Sequence, residues 1–146
     1  MEITIARLSD LDQLSRLFDG YRVFYEQTSD LEAASSFIQQ RLAQDQSICL
    51  LCKNRQGQCI GFTQLYPSYS SVSLQHTWIL NDLYVDPDFR GLGAGKALLL
   101  AAQEYAKSDG AKGLTLETAI DNPAQKLYES LGWEKDTDVF HYTWKV

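Results

Sequence analysis

Gly91, Gly93 and Gly95 fall in one short segment, Arg90-Gly91-Leu92-Gly93-Ala94-Gly95-Lys96, between an apolar strand-like run, Trp78 to Val85, and a helix-like run, Ala97 to Lys107. Glycine leaves its backbone N–H uncovered, and at the positive end of a helix such groups bind anions. The chemistry expected is phosphate binding, with Arg90 or Lys96 adding charge. Spacing limits which phosphate loop this can be. A P-loop needs glycine, four residues, then Gly-Lys-Ser/Thr; counting back from Gly95-Lys96 puts Arg90 at the first glycine, and Ala97 stands where the magnesium-binding hydroxyl belongs. A dinucleotide fingerprint G-x-G-x-x-G would run from Gly91 and Gly93 to position 96, which is lysine, and belongs in an early strand-turn-helix unit.

The remaining pattern, Arg-x-x-Gly-x-Gly after the acidic turn Asp86-Pro87-Asp88 and before an apolar helix, resembles motif A of the GNAT superfamily of acetyl-CoA-dependent N-acetyltransferases. A second segment, Asn122-Pro123-Ala124-Gln125-Lys126-Leu127-Tyr128-Glu129-Ser130-Leu131-Gly132-Trp133, is similar to that family's other signature, an asparagine and an alanine ahead of Leu-Tyr-Glu and Leu-Gly-aromatic. The resemblance covers nearly the whole chain, with residues 78 to 133 the most specific. It implies a mixed, mostly antiparallel sheet flanked by about four helices, and acetyl-CoA as cosubstrate, its pyrophosphate held on Arg90, Gly91, Leu92, Gly93, Ala94, Gly95 and Lys96. In similar enzymes the preceding strand carries a bulge and splays from its neighbour. The pantetheine would then lie along the main chain of Leu83, Tyr84 and Val85, with one N–H polarising the thioester carbonyl and the Asn122 amide on the pantetheine arm.

Acetyl transfer by direct attack needs a neutral amine, a polarised carbonyl and a proton for the departing thiolate. The resemblance gives the last role to Tyr128. The base is more open. Spermidine/spermine N-acetyltransferases, which this strand resembles, have glutamate where Asn81 stands, and an amide cannot accept a proton. Asp82, beside the expected bulge, comes first; Glu117 or Asp121 through water, or an amine that loses its proton on entry, are the alternatives. On the acceptor side, with Asn81, the aromatics Tyr21, Phe24 and Tyr25 with Tyr66 and Tyr69 could hold an alkylammonium by cation–π contact, with Glu26 nearby, or the helix aromatics could simply continue the core. The acceptor expected is a small cationic amine, such as a polyamine or amino acid, ahead of a protein lysine. A non-catalytic acyl-CoA-binding regulatory module of the same fold is the competing class. His76 and His141 receive no role.

The elements that must position these groups follow from periodicity. Glu2 to Leu8 alternates as a strand, and Ser9-Asp10-Leu11-Asp12 opens a helix whose stripe, Leu11, Leu14, Leu17, Phe18, Tyr21, Phe24 and Tyr25, is interrupted by Gly20. Ser29-Asp30-Leu31-Glu32 has capping-box spacing and starts a second helix with Leu31, Ala34, Phe37, Ile38 and Leu42 on one face. Strands at Ile48–Lys53 and Cys59–Tyr66 flank the turn Asn54-Arg55-Gln56-Gly57, and after a loop from Pro67 to Ser71 a long strand runs from about Val72 to Val85. A strand at Leu114–Thr118, a helix from Asn122 to about Gly132 and two short strands from Trp133 to Val146 complete an α/β domain spanning residues 1–146.

With 146 residues, 45% hydrophobic and 22% charged, the composition is that of one globular domain. No membrane-spanning run and no signal-peptide pattern occur, which points to the cytoplasm. A net charge of −6 argues against a nucleic-acid partner. Cys49 and Cys52 have C-x-x-C spacing, but residues three apart on a strand face opposite sides, so with Cys59 they read as buried apolar cysteines and no metal site is expected. The alternating C-terminal segment, with Phe140, Tyr142, Trp144 and Val146 in phase, offers an edge for a homodimer.

Overall fold

The computed structural model describes Met1–Val146. Strand β1 (Glu2–Ile5) leads through a 3-10 turn at Leu8–Asp10 into helices α1 (Leu11–Phe24) and α2 (Leu31–Ala43). Strands β2 (Ile48–Lys53), β3 (Cys59–Ser70) and β4 (Gln75–Val85) follow, then α3 (Ala94–Ser108), β5 (Leu114–Thr115) and α4 (Gln125–Ser130). The sheet order is β1-β2-β3-β4-β5. Successive pairs from β1 to β4 are antiparallel and β5 runs parallel to β4.

Each face of the sheet has its own core. Leu14, Leu17 and Phe18 of α1 and Ala34 and Ile38 of α2 pack with Cys49, Leu51 and Phe62 on one side. Leu98, Leu99, Ala102 and Ala106 of α3 pack with Leu50, Cys52, Leu65, Trp78 and Leu80 on the other. Cys49 and Cys52 therefore lie in different cores, as strand alternation demands, and all three cysteines are free and buried.

Local chemistry explains the joints. The Asp30 side chain caps α2 by accepting from the Ala33 N–H at 3.0 Å. The β2–β3 turn closes on Asn54 Oδ1, which accepts from the N–H groups of Gln56 and Gln58, both at 3.0 Å. Gly20, unfavourable inside a helix on propensity alone, sits where an added Cβ would stand 2.7 Å from the Tyr84 hydroxyl. The side chain of Tyr84 on β4 occupies the space beside it.

Several expected boundaries move. β1 stops at Ile5, β4 starts at Gln75, α3 starts at Ala94, and β5 and α4 are shorter than their sequence patterns. Pro67–Ser70, expected as loop, extends β3. The reason is register: Pro67 pairs with Trp78, whose N–H donates to the Gly113 carbonyl at 3.0 Å, away from β3. No ladder bond is asked of the proline. Within α2, Leu31 (47%) and Phe37 (40%) are exposed, and of the expected face only Ala34 and Ile38 are buried. The C-terminal strands do not form. No backbone hydrogen bond involves a residue beyond Trp133, and Phe140, Tyr142 and Trp144 are 90%, 93% and 85% exposed. Alternation specifies a strand only when a partner edge accepts it.

Candidate active site

The site grows from a fault in β4. Gln64 pairs with Asp82 and Leu65 with Leu80, so Asn81 is the extra residue of a β-bulge. The bulge shifts the phase of the strand. Trp78 and Leu80 before it and Leu83 and Val85 after it face α3, while Tyr84 packs toward α1. Asp82, on the same side as Tyr84, is carried to the α1–α2 face.

Beyond the bulge β4 also parts from β5. The two strands pair only at Trp78↔Leu114 and Ile79↔Thr115. Backbone groups alternate sides along a strand. Asp86 N–H donates to the Ile60 carbonyl at 2.9 Å and the Asp82 carbonyl accepts from Thr63 Oγ1 at 2.7 Å, so those residues and Tyr84 turn their main chain to β3. Leu83 and Val85 turn theirs to the gap. Of the three residues expected to meet a ligand through the backbone, Tyr84 does not present its own.

The gap opens into a cleft of about 410 Å³, which Leu83, Tyr84, Val85, Arg90, Gly91, Gly93, Ala94, Gly95, Lys96, Asn122 and Tyr128 line together. Leu92 is exposed beside it. Gly93 is the N-cap of α3 at φ 87°, and Gly91 has φ 75°; both lie in the left-handed region that glycine tolerates. The first backbone bond of the helix is Ala97 N–H to the Gly93 carbonyl at 3.0 Å, and no N–H from Gly91 through Lys96 meets an acceptor in the protein. This uninterrupted row of donors at the start of a helix of 15 residues suits a pyrophosphate. The Arg90 guanidinium donates from Nε to the Val85 carbonyl at 3.0 Å and stacks between Phe24 (5.4 Å) and Tyr84 (5.8 Å), which fixes its charge at the cleft mouth.

Asn122 is largely committed to shaping its own turn. Its Nδ2 donates to Thr118 Oγ1 at 2.9 Å and its Oδ1 accepts from Ala124 N–H at 3.0 Å, which leaves one amide hydrogen for a ligand. Tyr128 on α4 is half-buried and burial raises its phenol above the ordinary tyrosine value, so it holds its proton at neutral pH. Phe24 and Tyr25, expected on the acceptor side, line this same cleft.

A second cavity, about 370 Å³, adjoins the first across Tyr21 and Asn81, which line both. Phe18, Arg22, Ala33, Ala34, Phe37, Tyr66 and Asp82 complete it. Asp82 is 2% exposed. Its carboxylate accepts from Asn81 Nδ2 at 2.9 Å and from Gln64 Nε2, whose Oε1 in turn accepts from Ser47 Oγ at 2.7 Å. These bonds engage both carboxylate oxygens and fix the side chain in the wall of the cavity. Burial, then the Asp82 charge, pushes the Tyr66 phenol up to about 12 and raises Tyr21 as well. The expected aromatic cage is thus divided: Tyr21 and Tyr66 reach the second cavity, while Tyr69 is 80% exposed.

Gln64, Arg22 and Arg41 were not anticipated. Gln64 carries a sequence signal, a lone amide in the apolar run Cys59–Tyr66; the arginines carry none. The histidines are peripheral: His76 Nε2 lies 2.7 Å from Asp109 at the end of α3, and His141 Nδ1 lies 3.2 Å from Glu117 in an exposed pair. No group of His, Cys, Asp or Glu is arranged to hold a metal.

Comparison with known proteins gives this architecture a place. Residues 11–133 match the Acetyltransferase (GNAT) family. The chain is 48% identical over 147 aligned positions to the N-acetyltransferase YhfO of Bacillus subtilis, covering 100% of this chain and 98% of that protein. A crystal structure of a probable acetyltransferase superposes with TM-score 0.95 at 38% identity, over 100% of this chain and 98% of the other. A ribosomal-protein-alanine N-acetyltransferase from Brucella melitensis biovar Abortus shares the fold, with TM-score 0.80 at 21% identity over the full length of both chains. Fold, cleft and matches agree, and the chain belongs to the GNAT family of acetyltransferases, as an N-acetyltransferase.

Proposed function

We propose that this chain, acting as one domain, transfers the acetyl group of acetyl-CoA to the primary amine of a small acceptor by direct attack within a ternary complex. The proposal rests on one coincidence: the donor row Gly91–Lys96, the open edge at Leu83 and Val85, and the protonated Tyr128 line a single cleft that meets Asp82's cavity at Asn81. When bound, acetyl-CoA supplies the acetyl thioester. The N–H groups from Gly91 to Lys96, with Arg90 and Lys96, hold its pyrophosphate; the backbone of Leu83 and Val85 and the spare Asn122 hydrogen hold its arm.

Asp82, directly or through one water, accepts the proton that the amine sheds as its nitrogen bonds to the acetyl carbon. Tyr128 gives its phenolic proton to the sulfur as the carbon–sulfur bond breaks. The amine loses one proton, the thiol gains one, and solvent returns the proton from Asp82 to Tyr128. The enzyme is taken as cytoplasmic and as a homodimer, the second supported by the apolar side chains exposed along residues 139–146.

Thiol release from acetyl-CoA across a panel of amines tests the activity. Turnover on at least one small primary amine, with N-acetylated product identified by mass spectrometry, is expected. Tight CoA binding with no turnover on any amine would instead make the chain a non-catalytic acyl-CoA-binding module.

A further inference from the structure

One guanidinium nitrogen at the cavity behind Asn81 has no hydrogen-bond acceptor in the protein. Arg22 lines this cavity, and its Nη1 is shielded from solvent without a hydrogen bond. The nearest carboxylate oxygen, Asp19 Oδ1, is 4.0 Å away and already accepts from the Asp30 N–H at 2.8 Å, while Asp19 Oδ2 accepts from Ser29 Oγ at 2.6 Å. Arg41 repeats the situation on the next helix. Its guanidinium stacks 4.4 Å over Phe37, a wall of the same cavity, and its Nε is shielded and unpaired, with only Nη2 engaged, to Gln40 at 3.2 Å. The Tyr66 phenol feels the Arg41 charge.

Shielded donors without acceptors are costly unless something else completes them. A guanidinium fork is shaped to take a carboxylate or a phosphate in two parallel bonds. The cavity thus has a negative pole at Asp82, a positive pole at Arg22, and apolar walls at Phe18, Ala34 and Phe37, with Arg41 stacked on Phe37 outside the lining.

We propose that the acceptor is an amine that itself carries an anionic group and an apolar body, an apolar α-amino acid being the simplest case, with its ammonium end toward Asp82 and its anion on Arg22. This narrows the acceptor of the acetyl transfer proposed above and rests on that reading. A polyamine fits poorly, because its further ammonium groups meet the Arg22 guanidinium.

The test uses matched acceptors: L-leucine against L-leucinamide, L-phenylalanine against L-phenylalaninamide, aminomethylphosphonate as a phosphorus anion, and spermidine. Leucine or phenylalanine should show at least about tenfold higher kcat/KM than its amide, the amount one charge-assisted hydrogen bond supplies, and spermidine should be slower still. Arg22→Met should raise KM for the acids by about tenfold or more and leave KM for the amides unchanged, while Arg22→Lys keeps part of the preference. A phosphonate preferred over the carboxylates would keep the inference and fix the anion. Calorimetry of leucine binding to the CoA-loaded protein gives a readout that needs no turnover. Leucine binding that Arg22→Met abolishes supports the pocket even where no amine releases thiol, an outcome that would sink the catalytic reading alone. Amides or spermidine used as well as the acids, or leucine binding absent or indifferent to Arg22, overturns the inference while leaving acetyl transfer intact.

Discussion

In the proposed reaction Tyr128 and Asp82 divide the proton traffic between adjoining cavities, and each role can be tested by a near-isosteric substitution. Tyr128→Phe should lower kcat by about 10²-fold, the low end for one acid–base group, with the dissociation constant for acetyl-CoA unchanged. Because burial raises the phenol, the wild-type rate should hold through neutral pH and fall only above the ordinary tyrosine value of about 10. That alkaline limb should be missing in the variant, and a limb that persists assigns the proton to another group. Asp82→Asn keeps an acceptor for Gln64 but turns an amide donor toward Asn81 Nδ2, so it should cost about 10²-fold in kcat and about 1–3 kcal/mol of stability. An unaltered rate would remove Asp82 from the reaction and leave Glu117 or Asp121 to be tested.

At the level of elements, the site is a consequence of two faults in regular structure, the bulge at Asn81 and the uncapped start of α3. Gly93 holds that start at φ 87°, so Gly93→Ala should weaken CoA binding and cost about 1–2 kcal/mol of stability. Titration calorimetry and chemical denaturation read the two effects separately. Gly20 supplies a second check. Alanine should gain about 1 kcal/mol on helix propensity, but the Tyr84 hydroxyl stands 2.7 Å from its Cβ. Gly20→Ala should therefore be at least about 1 kcal/mol less favourable in wild type than in the Tyr84→Phe background, measured as a double-mutant cycle. Additive changes would mean that the contact is not what keeps glycine there.

The same elements explain what could be read beforehand. β2 falls at Ile48–Lys53 as expected, because an apolar run bounded by turn residues admits little else. The strand–glycine–helix unit was legible because spacing alone separates it from other phosphate loops. Asp82's placement was not, since side-chain parity across a bulge depends on which residue is extra, and that is decided by pairing with β3. Arg22 was invisible for a similar reason: its significance lies in a shielded Nη1 without a hydrogen-bond acceptor, a property of the packed structure.

For the whole molecule, the segment beyond Trp133 is the place where sequence and structure part most. Its alternating pattern finds no strand partner within the chain, and its aromatic side chains stand in solvent. Apolar side chains exposed in this number are suited to burial against another copy. Sedimentation should show a dimer at micromolar concentration, and Tyr142→Lys with Trp144→Lys should give a folded monomer. A wild-type monomer would leave the segment without a partner. No helix is long and apolar enough to cross a membrane.

The central claim, that one cleft holds acetyl-CoA with its sulfur at Tyr128, is tested most directly by an experimental structure of the CoA complex. The pyrophosphate should lie on the N–H groups of Gly91–Lys96, with the sulfur about 3–4 Å from the Tyr128 hydroxyl, near hydrogen-bond reach for sulfur. A pyrophosphate elsewhere, or a sulfur directed away from both Tyr128 and Asn81, would contradict it.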